Sequence, residues 1–437
     1  MTSRQVLDLL RRYESRNVTF IEGDGSWPIV WERAKGVHVW DAEGRKFLDL
    51  TSAFGVAAAG HANPRVVRAG QKQMATLLHA MGDVHPHALK AKLAHDLSRL
   101  TFERWTRSRT THHAPRITAK AIFCNSGFEA VEAALKTALL ATGRRGVIAF
   151  EGAYHGLGYG ALNTTHRAHF RGPFTSQLRK FGHFVPFPAR DGELAGLENS
   201  IRREFKQRKI GALLVEPVQA RGGINIPPAE FLPMLRRLCD EHGALLILDE
   251  IYTGFGRTGA CFACEHSGIV PDVICLGKAL TGGFPLSACV GRANVVDAAW
   301  PESSGEAIHT STFLGHPVGC AMALAQIAEM RRLALPERSR RLGSLLLAEL
   351  KTLRAPHLEL RARGAGLMAG LELVRPDGTP ATAEALDIIK RMLHRGFVLL
   401  PEGEHSNVIS FTPPLTITAA QLRQAVRVLR EELGRRA

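Results

Sequence analysis

Short apolar runs separated by helical patterns fill the middle of the chain. Residues 121–124 read as a strand, and the alanine-rich stretch 129–139 that follows reads as a helix. Further apolar runs of strand length lie at 146–150, 212–215, 244–248, 273–276 and 286–290. None alternates polar with apolar, so both faces of the sheet they form are expected to be covered. Strands punctuated by helices predict an α/β fold with a mostly parallel, doubly wound sheet. The last third differs. Helical periodicity at 319–333, 342–353 and 418–433, with strand runs at 370–374 and 396–400, predicts a smaller α+β unit. Residues 36–45 predict a hairpin with a Glu43-Gly44 turn. That piece lacks a core of its own and is expected to pack on the smaller unit. The expected organisation is an N-terminal segment over residues 1–60, a large domain over 61–315 and a small C-terminal domain over 316–437. A length of 437 residues suits two packed domains.

Composition narrows the function. No apolar run reaches the roughly 18 residues of a membrane span, and the first residues have no signal-peptide pattern, so a cytoplasmic location is expected. The net charge of +15 comes from scattered pairs such as Arg11-Arg12, Arg202-Arg203 and Arg236-Arg237. No aromatic-interleaved basic tract accompanies them, which favours a solvated arginine surface over a nucleic-acid footprint. Seven cysteines, an odd number, suggest reduced, buried thiols. Cys261 and Cys264 have metal-binding spacing and His266 stands near, but a second pair is missing and no metal is expected.

Ligands of open α/β sheets bind beyond the carboxyl ends of the strands, and distinctive residues fall at those ends here. Asn125-Ser126-Gly127-Phe128-Glu129 opens a helix, with capping-box spacing between Ser126 and Glu129. Such a start suits a phosphate, although alone it reads more readily as a plain helix cap. Asp249 follows the buried run 244–248, where a carboxylate needs a partner. Lys278 follows the run 273–276. Desolvation there would depress its basicity and make the amine nucleophilic, able to condense with an aldehyde and to carry a proton.

At these residues the chain resembles the class III (ω-amino acid) aminotransferases, enzymes of fold type I that depend on pyridoxal 5'-phosphate (PLP). The motifs stand in the family's order: Tyr154-His155-Gly156, Val215-Glu216-Pro217, Asp249-Glu250 through Gly259, Pro271-Asp272, Lys278, Ser311-Thr312-Phe313, Gly315-His316-Pro317 and Pro413-Pro414-Leu415. The resemblance implies that Lys278 carries the cofactor as a Schiff base and that Asp249 pairs with its pyridine nitrogen. It implies that Ser126, Gly127 and Phe128 hold the phosphate, that Tyr154 stacks on the ring and that Glu216 supports the site. Thr312 is implied to reach the cofactor phosphate of a neighbouring subunit, hence a homodimer with composite sites. Transfer from an amine or amino-acid donor to a keto acid by a ping-pong sequence is implied.

Four departures bear on substrate. Tyr252 replaces a glutamine common in the family, so either its hydroxyl reaches the cofactor or its ring walls the pocket. Ser410 stands where members acting on α-amino acids have arginine. Arg221 stands where some members have the glutamate that holds that arginine aside. Leu157 stands where others have an arginine for a distal carboxylate. Three readings follow: Arg221 has taken over carboxylate binding, the donor is an amine without an α-carboxylate, or Arg221 points to solvent. Trp27 and Phe54 are expected either to line the substrate pocket or to pack in the core. His61, His85, His87, His155 and His309 are expected to have no catalytic role. The same Lys278–Asp249 pair would also serve a racemase, a decarboxylase or an aminomutase. A non-catalytic basic binding protein reusing the scaffold is the remaining alternative.

Overall fold

The apolar runs at the centre of the chain form one seven-stranded sheet in the computed structural model, which describes residues 1–107 and 117–435. The strands lie in the order Ala119–Cys124, Ser287–Arg292, Val273–Leu276, Leu245–Asp249, Ile210–Val215, Gly146–Phe150, Gly182–Val185. Ser287–Arg292 runs antiparallel to both of its neighbours, and the other pairings are parallel. Six carboxyl ends therefore point to one edge. Hydrophobic pattern cannot show the direction of the seventh strand, because a strand buried on both faces reads the same either way.

Successive side chains leave the sheet on opposite faces. Val147, Ala212, Leu214, Ile247, Val273 and Cys275 pack with Val131, Ala134 and Ala138 of the Gly127–Thr142 helix. Ile148, Leu213, Leu246, Leu248, Ile274 and Leu276 belong to the core on the other face, with Leu93, Leu97, Phe231 and Leu235. The small side chains of the first helix let it lie close over the sheet, which fixes where its N-terminus points.

Two smaller sheets complete the fold. Glu359–Ala365, Met368–Val374, Val408–Phe411 and Leu400–Glu402 form an antiparallel sheet in that order. Trp31–Lys35, His38–Asp41 and Lys46–Asp49 form the other, and Phe397–Val398 joins its edge in parallel. The expected hairpin turn lies between its second and third strands, where Asp41 Oδ1 accepts from the Arg45 N–H at 2.8 Å. The run 396–400, read as one strand, is two: it changes sheets at buried Leu399. Helices at Pro64–Thr76, Ala88–Leu100, Leu194–Gln207, Phe231–His242 and Thr382–His394 were given no bounds from the sequence, although helices between the strands were expected.

Between the large sheet and the antiparallel one lies Arg257, which is 1% exposed. Its Nη1 donates to the Leu367 and Pro413 carbonyls and its Nη2 to Ser52 Oγ. Ser52 Oγ in turn donates to the Thr412 carbonyl at 2.7 Å. This places the stretch 254–259 as a structural clamp. Replacing Arg257 with alanine leaves these acceptors buried and unpaired, so stability should fall by on the order of 3 kcal/mol, read as a lower urea midpoint.

Candidate active site

Ser126, Tyr154, Glu216, Asp249 and Lys278 all stand at or just past carboxyl ends of the large sheet's strands. They come from five different crossings of one edge, and the topology alone brings them together. A cavity of about 580 Å³ opens there, lined by Gly127, Phe128, Tyr154, His155, Glu216, Arg221, Asp249, Tyr252 and Lys278 among others. Phe54 and Leu157 stand on its wall as well. A larger cleft of about 720 Å³ lies between the Ser3–Tyr13 helix and residues 393–396, and it holds none of the strand-end residues.

Lys278 faces the cavity with its backbone in the left-handed region, at φ 42°. A non-glycine residue held there is a small store of strain, of the kind found where a side chain must be aimed. Its Nζ lies 4.7 Å from the centre of the Tyr252 ring. Burial pushes its basicity below the ordinary lysine value, against the pull of Asp249, Glu216 and Glu402. The neutral, nucleophilic form of the amine is thereby more accessible than in an exposed lysine.

Asp249 is 5% exposed, and its Oδ2 lies 2.8 Å from Nδ1 of His155, itself 2% exposed. Asp249 Oδ1 accepts from the Ile251 N–H at 3.1 Å. His155, expected to have no catalytic role, thus holds in place the carboxyl group that faces the cavity. The fold permits this because Gly156, at φ 109°, turns the chain back against Phe128. A Cβ on Gly156 would lie 2.3 Å from Phe128 Cβ.

At the helix start, Glu129 Oε2 accepts from the N–H groups of Asn125 and Ser126. The Ser126 hydroxyl makes no cap bond and is buried without a partner. The first-turn N–H groups of Gly127 and Phe128 have no intrahelical acceptor. Glu216 accepts from the N–H groups of Tyr154 and Ala220, at 3.0 and 3.1 Å. It thereby ties the aromatic wall to the turn carrying Arg221. Burial pushes Glu216 up to about 7, with His155 opposing and Asp249 assisting.

The remaining expected residues separate clearly. The Tyr252 hydroxyl is engaged with Thr412 Oγ1 at 3.1 Å, so its ring, not its oxygen, faces Lys278. Phe54 reaches the cavity from a turn in which Ser52, Ala53 and Phe54 all have positive φ. Arg221 lies with Nη1 3.4 Å from Glu402 Oε2, and its guanidinium is 5.8 Å from the centre of the Tyr154 ring. Ser410 is buried in its strand and donates to the Leu400 carbonyl at 3.0 Å, away from the cavity. Trp27 packs against two hydrophobic clusters instead of lining the pocket. Thr312 is exposed, on a turn outside the cavity. Cys261 and Cys264 are buried thiols held up by burial, and His266 pairs with Thr258 Oγ1. Among the described residues no His/Cys/Asp/Glu group has metal-binding geometry. Glu402 was missed, although a charged residue ending an apolar run was the same signal that marked Asp249.

These donors suit one kind of group. An unpartnered hydroxyl beside free N–H groups suits an anion, the fixed carboxyl suits a ring nitrogen, and the amine suits an aldehyde. PLP carries all three, and the fold and site are those of a PLP-dependent enzyme. Residues 20–433 match the class III aminotransferase family. The 5-aminovalerate aminotransferase of Pseudomonas aeruginosa is 36% identical over 92% of this chain and 93% of its own. A putrescine aminotransferase of Pectobacterium atrosepticum is 37% identical over 98% and 88%. An amine transaminase from an uncultivated Pseudomonas species, solved in its PLP-bound form, is 28% identical with a TM-score of 0.86, covering 97% of this chain and 98% of that one. The chain belongs to the class III aminotransferase family and is a PLP-dependent aminotransferase.

Proposed function

We propose that this aminotransferase moves an amino group from a small amine donor to a keto acid in two successive half-reactions, with Lys278 as the residue that holds the cofactor covalently and handles the proton. The observation that carries the reading is the cavity-facing Lys278 amine, without a hydrogen-bond or ion-pair partner among the described residues, beside the His155–Asp249 pair. Bound PLP supplies an aldehyde for amines and a ring that takes up electrons as the substrate C–H bond breaks. Lys278 Nζ accepts that proton and returns it at the other carbon. Asp249 keeps a proton on the ring nitrogen, and His155 keeps Asp249 in place. Ser126 Oγ with the Gly127 and Phe128 N–H groups seats the phosphate. Tyr154 covers one ring face, Glu216 supports it from behind, and Tyr252 walls the lysine.

The exposed apolar residues Leu77, Leu78, Met81, Val84, Ile308 and Phe313 support a homodimer, in which Thr312 serves the neighbouring copy's phosphate. Seven buried, free cysteines support a reducing, cytoplasmic setting. No described helix is long and apolar enough to cross a membrane.

Arg221 is assigned the substrate carboxylate. It is the arginine on the cavity wall, whereas Ser410 lies outside and Leu157 offers no charge. Relatives named for 5-aminovalerate and putrescine support a small amine donor. The test is steady-state turnover of the holoenzyme with a straight-chain primary amine and pyruvate or 2-oxoglutarate. One keto acid should disappear per amine, with parallel double-reciprocal lines. In the Arg221→Ala variant the KM for both keto acids should rise about 10- to 100-fold, the loss of a charge-assisted contact. The KM for the amine should move far less. Unchanged keto-acid KM values would remove Arg221 from the substrate site, and amine consumption without keto-acid loss would remove transamination.

A further inference from the structure

Glu402 closes the Leu400–Glu402 edge strand and is 3% exposed. Its Oε2 is buried without a hydrogen-bond partner, and its contact with Arg221 Nη1 at 3.4 Å is an ion pair only. A buried carboxylate normally takes two or more hydrogen bonds, so this pair is half made. The Arg221 side chain keeps 30% of its exposure, on the cavity side, while its backbone is pinned by the Gly403 N–H at 3.1 Å. The side chain therefore has a held base and a partly exposed tip, between a buried anion and the cavity.

We propose that Glu402 decides which substrate end the cavity accepts. It competes with a substrate carboxylate for Arg221, so a keto acid binds as the Arg221–Glu402 pair opens, whereas an amine without a carboxylate binds with the pair closed. The inference rests on Arg221 as the carboxylate grip.

The charges around Glu402 give the exchange a signature. Arg221 faces it from the turn after Ile210–Val215, and Arg167 from the start of the Ala168–Arg171 helix. Glu216 and Lys278 face it from two strand ends, and Tyr154 and Tyr252 from the cavity wall. Glu404, on its own loop, lies against Arg167, whose Nη2 donates to the Glu404 carbonyl at 3.1 Å. Burial pushes Glu402 up to about 7, and Arg221 is the first of the groups holding it down. When Arg221 turns to a substrate carboxylate, Glu402 loses that counter-charge and takes one proton from solvent. Carboxylate binding should therefore weaken as pH rises above about 7, toward tenfold per pH unit at the limit.

The experiment is calorimetric titration of the holoenzyme with butyrate, a carboxylate that cannot turn over, at about pH 8 in two buffers of different ionisation enthalpy. Wild type should take up a proton fraction approaching one per butyrate bound. Glu402→Gln should bind butyrate several-fold more tightly, with proton uptake largely abolished and a flat pH profile. Glu402→Asp, which keeps the carboxylate, should restore the uptake. Arg221→Gln should lose butyrate binding. If Glu402→Gln takes up the same protons, or binds butyrate no more tightly than wild type while Arg221→Gln loses it, the competition is overturned and the Arg221 grip survives. If Arg221→Gln binds butyrate like wild type, the grip itself is gone and the competition with it.

Discussion

Replacing Lys278 with alanine should lower kcat by on the order of 10⁴-fold or more, because in the proposed mechanism one side chain supplies both the nucleophile and the proton carrier. The amine is selected by its surroundings. Burial lowers its basicity, and the ring of Tyr252 lies 4.7 Å from it. The geometry should survive the substitution, since no hydrogen bond or ion pair among the described residues runs through this side chain. The visible absorbance of the lysine-bound cofactor should disappear while the far-ultraviolet dichroism stays as in wild type. Added methylamine should return a small part of the activity by replacing the missing amine. A Lys278→Ala protein that keeps full colour and turnover would end the proposed mechanism.

Asp249→Asn should cost about 10²- to 10³-fold in kcat, the scale of removing one preorganised electrostatic partner from a buried site. Asparagine keeps the volume, and its carbonyl oxygen can still accept from His155 Nδ1, where the native contact is 2.8 Å. What it cannot keep is the negative charge toward the cavity. The loss should fall mainly on kcat, with keto-acid KM changed little, because the proposed grip on the substrate carboxylate is Arg221 and not Asp249. Replacing His155 with glutamine should cost less, since it removes the support and leaves the charge. An Asp249→Asn variant with wild-type kcat would place the ring nitrogen elsewhere.

Much of this site was legible in the chain because burial leaves a local mark. Asp249 and Lys278 each end an uninterrupted apolar run, and a charge in that position has to be paired or used. The strand runs at 146–150 and 273–276 were read with their observed bounds, since Gly and polar residues delimit them. Ser126 and Glu129 marked a helix start at Gly127. The family motifs then gave the chemistry.

The rest depended on which segments meet. His155 looked like a loop histidine until the fold set it against Asp249. Ser410 and Arg221 looked like two changes at one carboxylate site. The strand pairing turns Ser410 toward the Leu400 carbonyl and sets Arg221 opposite Glu402. Thus the sequence by itself determined the elements, the buried charges and the class of chemistry, because periodicity and desolvation act over a few neighbouring residues. Only the tertiary structure decided the direction of Ser287–Arg292, the split of the run at Leu399 and the partner of each buried charge. Those are distances between segments far apart in the chain, set by how the sheets pack and carrying no local pattern.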